Sequence, residues 1–215
     1  MGSEMDEKFH KEAHQIVNHN IHNTIESAAL WFTDMVKKKV ADKDEDGMTF
    51  TCMAAGTMLA FSFEAYLNAV GSRKLVLWNE WDEYYKKIDK IFQNLKITPD
   101  WGKRPYSSIS AMRRLRNALA HGKPQMSETK KEFVDKADGQ KSKTIDMTAD
   151  WQKLCTPDMI INAYEDHDLV WKDVYKKSGI DIMEITQGGT LTVTTGKKFI
   201  PAAKPLKKAE PQPDK

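Results

Sequence analysis

The sequence predicts a mainly α-helical protein: an up-and-down bundle of four to five helices with one or two small β-hairpin elaborations. Three observations carry this. Apolar residues return at three- and four-residue steps along most of the chain. Stop and start signals separate those runs, above all Gly71, Gly122-x-Pro124 and Thr156-Pro157-Asp158. Turn-flanked stretches that read as strands are confined to two segments, within 127–150 and 181–195.

The first helix is expected from about Met5 to Val40. Phe9, Ala13, Ile16, Val17, Ile21, Ile25, Ala28, Phe32, Met35 and Val36 form its stripe, and Lys37-Lys38-Lys39 suits a carboxyl end. After an acidic loop, Asp42 to Gly47, a second helix is expected from Thr49 to Val70, with Gly71 as its stop. It is apolar enough to be the central helix of a bundle. A third, Asn79 to Leu95, packs through Trp81, Tyr84, Ile88, Phe92 and Leu95. The fourth starts near Arg104-Pro105, buries Ile109, Met112, Leu115 and Leu119, and ends at Gly122. Asp138-Gly139 then signals a hairpin inserted within 127–150. The fifth helix opens on Thr156-Pro157-Asp158 and runs to about Lys177. Organisation follows: a bundle over 1–178, a strand or hairpin extension over 179–198 turning at Gly188-Gly189, and a disordered lysine- and proline-rich tail over 199–215.

The chain has 215 residues and a formal net charge of +2, so any nucleic-acid surface must be local. The two cysteines, Cys52 and Cys155, make neither a disulfide framework nor a zinc site and fit a reducing compartment. The most apolar stretch, Met53 to Val70, is interrupted by Glu64 and Asn68, and the N-terminus lacks the apolar block of a signal peptide. A soluble, cytoplasmic protein without a membrane partner is expected. Charge is uneven: Lys103 to Lys143 holds eleven basic residues against four acidic, and Thr144 to Thr186 holds four against nine. That contrast fits a local anion-binding surface or ordinary surface variation.

Four constellations could carry chemistry. Asp42-Lys43-Asp44-Glu45-Asp46-Gly47 starts like a calcium loop, but the twelfth position is Met53 where a bidentate glutamate belongs. A solvated acidic turn is the reading that remains. His10 and His14 share a helix face, as do His19 and His22, but no third and fourth ligands are evident, so no metal or other cofactor is expected. Glu64 and Asn68 stand one turn apart on the most apolar helix, where a buried carboxylate needs a cation. The fourth is Arg113-Arg114-Leu115-Arg116-Asn117-Ala118-Leu119-Ala120-His121-Gly122-Lys123-Pro124. Arg116 and His121 lie about 140° apart around an ideal helix. They converge only if His121 leaves the helical path or two copies of the chain meet. A basic helix surface capped by a histidine is the plain alternative.

Arg116-Asn117-x-x-x-His121 at the end of a bundle helix resembles the R-x-x-x-x-H signature of the HEPN superfamily of small helical ribonucleases and their relatives. Phe63-Glu64-Ala65-Tyr66-Leu67-Asn68 is similar to the glutamate- and asparagine-bearing helix of many bacterial members. The resemblance spans roughly Glu7 to Lys177. It implies a metal-independent endoribonuclease of toxin or antiviral-defence type, acting as a homodimer in which two motifs meet. His121 would be general base or acid on the ribose 2′-hydroxyl and leaving oxygen, Arg116 would bind the scissile phosphate, and Asn117 would orient substrate or histidine. Arg113, Arg114 and Lys123 would contact the RNA backbone. Pairing of Glu64 with Arg116 is an inference from the buried-charge argument. Some family toxins carry a modifiable tyrosine two residues after the histidine; here that residue is Lys123, so neutralisation by an antitoxin of that kind is in doubt. A trigger would come from a defence-system partner or from assembly. The superfamily also includes helical domains that only dimerise or bind partners, and that alternative stays open.

Overall fold

A computed structural model describes residues 9–124, 126, 128, 148–181, 185–186 and 188–198. The expected hairpin of 127–150 and the tail of 199–215 lie outside them, apart from isolated positions of the former. Among the described residues the protein is mainly helical with one two-stranded antiparallel sheet: β1 (Phe9–Asn18), α1 (Ile21–Asp42), α2 (Met48–Lys74), α3 (Tyr84–Asn94), α4 (Tyr106–His121), α5 (Asp150–Lys153), α6 (Pro157–Ser178) and β2 (Gly188–Lys198). It divides into two units. One holds both strands, and the other, His19–Gln187, holds the helices.

In the helical unit α2 packs on α1, α4 and α6, α6 packs also on α1 and α4, and α3 lies against α2. The core has two parts. Ala29, Val36, Ala55, Leu59, Met112, Leu115 and Ile160 fill one; Phe63, Leu67, Val70, Ile88, Phe92, Ile109, Trp171 and Val174 fill the other. α2, α4 and α6 each contribute to both parts, and α2 touches all the other long helices, as a central helix must. It is 27 residues long, and by length and mean hydropathy its best window would suffice to cross a membrane. Inside the fold, Leu59, Phe63, Leu67 and Val70 are spent on the bundle core.

Four expectations are corrected. The first helix does not begin at Met5. Phe9–Asn18 is a strand, with Ala13 opposite Val193 and Val17 opposite Gly189. Phe9, Ala13, Ile16 and Val17 fit a helical stripe by spacing, but threonine-rich β2 offers a ladder from the far end of the chain. The second strand segment is therefore no hairpin around Gly188-Gly189; those glycines open β2. Gly71 does not stop α2, which runs on to Lys74. A Cβ on Gly71 would come within 2.3 Å of the Trp78 ring, so this glycine serves close packing. The third helix starts at Tyr84 rather than Asn79. Asn79 instead makes a turn through its own side chain, Oδ1 accepting from the Trp81 amide at 3.1 Å, and Trp81 is 86% exposed rather than packed.

The last two long helices agree with the sequence reading. Pro105 immediately precedes α4, and Gly122 closes it at φ +52. Thr156 caps α6, its Oγ1 accepting from the Met159 amide, and Gly179 closes it at φ +60.

Candidate functional site

The site grows from the contact between α2 and α4. Gly56 allows their close approach: a Cβ there would meet Leu115 at 2.6 Å and Ile160 at 3.0 Å. Two turns further along α2, Glu64 reaches the α4 surface. Its Oε2 accepts from Arg116 Nη2 at 3.1 Å, and its Oε1 accepts from Lys87 Nζ at 2.9 Å. The expected Glu64–Arg116 pair thus exists, with a third member that the sequence reading missed. Lys87 is 2% exposed, while the Glu64 and Arg116 side chains keep 27% and 30%. Its signal was present: Lys87 follows Tyr84 by three and precedes Ile91 by four, on the stripe that α3 buries.

Arg116 is held from several sides. Its Nη1 donates to Asn117 Oδ1 at 2.9 Å, and its guanidinium carbon sits 5.2 Å from the centre of the Phe61 ring. Its Nε is buried without a hydrogen-bond partner among the described residues. Asn117 therefore addresses Arg116 rather than His121. Asn68, expected to support the site, is half-buried on the same helix as Glu64, and its Oδ1 is buried and unpaired among the described residues.

His121 is the last residue of α4 and is exposed. It stays on the helical path, so its direction and that of Arg116 diverge by about 140° within one chain. The basic residues split in the same way. Arg113 lies about 60° from Arg116 and turns toward α3, its guanidinium carbon 4.4 Å from the Tyr84 ring centre and 4.3 Å from that of Tyr85. Arg114 lies about 160° from Arg116 and close to the direction of His121; it lines a groove of about 370 Å³ with Thr156, Asp158 and Asn162 at the start of α6. Lys123 lies beyond the helix end in a pocket of about 290 Å³ with Leu119, Gly122 and Trp151. The set Arg113, Arg114 and Lys123 therefore does not make one continuous surface on α4.

In the acidic loop Lys39 Nζ donates to Asp44 Oδ2 at 2.5 Å and to the Asp46 carbonyl at 2.6 Å, so a lysine supplies the cation there. His10 and His14 lie on a strand, about 13 Å apart at 3.3 Å per residue, and His22 is buried on α1. Among the described residues no group of three or more His, Cys, Asp or Glu could hold a metal. Cys52 and Cys155 are free and buried, and burial pushes their thiols up to about 11 and about 12.

A second polar cluster lies inside the bundle. Ser62 Oγ donates to Glu26 Oε2 at 2.5 Å, Trp171 Nε1 donates to His167 Nε2 at 3.0 Å, and His167 Nδ1 lies 3.5 Å from Glu26 Oε2. The bond from Trp171 puts the imidazole proton on Nδ1. Burial pulls His167 down to about 3 and pushes Glu26 up against the opposing pull of Ser62. Compared with protein-family models, curated proteins and solved structures, the chain finds no match.

Proposed function

We propose that this chain is a metal-independent endoribonuclease of the HEPN type, working as a homodimer whose centre combines Arg116, Asn117 and His121. The observation that carries the reading is the arginine's setting. Arg116 is partly exposed and fixed by Glu64, which the buried Lys87 holds in turn. A guanidinium oriented in advance, with donors to spare, suits the charge that develops on a phosphate in the transition state. His121, about 7.5 Å further along the helix axis, is open to solvent and substrate.

The chemistry needs both groups. A histidine takes the proton of the ribose 2′-hydroxyl, and the 2′-oxygen attacks phosphorus. The bond from phosphorus to the 5′-oxygen breaks, and that oxygen leaves with a proton from an acid. The products are a 2′,3′-cyclic phosphate and a 5′-hydroxyl. Divergence of Arg116 and His121 within one helix supports completion by a second copy. The outer face of α2 supports it too. Phe50 and Phe61 are exposed there, eleven residues apart and so on one side, and Phe61 borders Arg116. A toxin or defence role, with a protein partner as antitoxin or trigger and a cytoplasmic setting, belongs to the same proposal.

A second reading draws on the same salt bridges. If Glu64, Lys87 and Arg116 only hold the bundle together, the chain is a dimerisation or interaction module. Arg116→Ala separates the two. The ribonuclease reading expects RNA cleavage to fall at least a hundredfold under conditions where the variant is folded. A drop in melting temperature with cleavage per folded molecule unchanged would remove Arg116 from the chemistry.

A further inference from the structure

Arg113 is a cation without a carboxylate. Among the described residues it makes no hydrogen bond and no ion pair, so its five N–H donors are unspent. It nevertheless rests against the rings of Tyr84 and Tyr85, 4.4 and 4.3 Å from their centres. The inner ring is fixed: Tyr84 packs on Phe63 of the core, and burial pushes its phenol upward. The outer ring is 46% exposed and meets the half-buried Trp101 edge to face, centroids 6.2 Å apart. Trp101 rests on Tyr106 in the same manner at 5.7 Å. An arginine with free donors thus stands next to an aromatic edge that is open outward and anchored inward.

We propose that Tyr85, Trp101 and Arg113 form a nucleotide subsite for single-stranded RNA next to Arg116, with a backbone phosphate on Arg113 and a base on the Tyr85–Trp101 edge. The proposal rests on the ribonuclease reading and adds a substrate class to it. Arg113 precedes Arg116 by three residues, about 4.5 Å along α4 and about 60° around it. One strand can therefore address both. Contact with both tyrosine rings restrains the guanidinium, so less side-chain freedom is lost when a phosphate arrives. Stacking on exposed rings selects single strands, because a duplex keeps its base faces covered by neighbouring pairs.

The test is binding of a labelled single-stranded RNA and of a matched duplex to the full chain carrying His121→Ala, in EDTA, followed by fluorescence anisotropy. Single strands should bind more tightly than the duplex. Tyr85→Ala and Trp101→Ala should each weaken single-strand binding about tenfold, the scale of one lost stacked base, and leave duplex binding unchanged. Tyr85→Phe should retain affinity. Arg113→Gln should flatten the slope of log affinity against log salt by about 0.7. Tyr85 is exposed enough that its variant tests the idea even if Trp101→Ala fails to fold. Single-strand binding that Tyr85→Ala leaves intact would overturn the subsite and leave the ribonuclease reading standing. Absence of binding to either RNA would overturn both.

Discussion

Lys87 shows how one residue conditions the others. It is buried, and its only described carboxylate partner is Glu64, which also holds Arg116. Removing the ammonium leaves Glu64 in a half-buried place with a single cation. Lys87→Met should therefore cost about 3 kcal/mol, the usual scale for breaking a buried pair, and denaturant titration measures it. Arg113→Gln should cost far less, because no carboxylate depends on it. His167 gives the pH dependence. Its folded pKa lies below the unfolded value of 6.5, so its neutral form stabilises the fold above pH 6.5, and that contribution is lost as pH falls toward about 3. His22, also lowered by burial, acts in the same direction. Glu26 acts oppositely, since its raised pKa favours the fold at low pH. Through His167 alone, stability should decline as pH falls below 6.5, by about 1 kcal/mol per pH unit. In thermal melts at pH 7 and pH 5, His167→Gln should show the smaller difference. An equal difference would mean that His167 is not the group that titrates.

At the scale of elements, helix packing decides where the site stands. Gly56 lets α4 lie close enough to α2 for Arg116 to reach Glu64. Gly56→Val should push Leu115 and Ile160 outward, cost about 1–3 kcal/mol by overpacking, and lengthen the Arg116–Glu64 contact, which a melting curve and a crystal structure of the variant would show. Most of this layout was legible in the sequence. Apolar periodicity placed α2, α4 and α6, and Gly122 and Thr156 marked their ends, because those signals are local. Other parts were not local. β1 takes its identity from β2, some 170 residues away, and its spacing alone fits a helix equally well. Gly71 resembled a stop until Trp78 was seen to need the space. Glu64 announced itself as a carboxylate in an apolar run, and its pairing with a cation followed from the cost of burying charge. Lys87 escaped because a lysine on a charged amphipathic helix is ordinarily exposed. The division of Arg113 from Arg114 followed from helix angles but was hidden when the basic run was read as one cluster.

At the scale of the whole molecule, the proposed centre needs two copies of the chain. Phe50 is exposed on the outer face of α2, on the side of Phe61 and Arg116. Phe50→Glu should therefore halve the mass seen by light scattering and reduce RNA cleavage without lowering the melting temperature of the fold. An unchanged mass would move the contact elsewhere. The proposed activity is tested most directly by incubating total and transfer RNA in EDTA with the wild-type chain beside His121→Ala and identifying the new ends. Wild type should cleave to leave 2′,3′-cyclic phosphate and 5′-hydroxyl ends, and His121→Ala should not. Cleavage that survives His121→Ala, or none by cleanly folded wild-type dimer, would contradict the proposed activity.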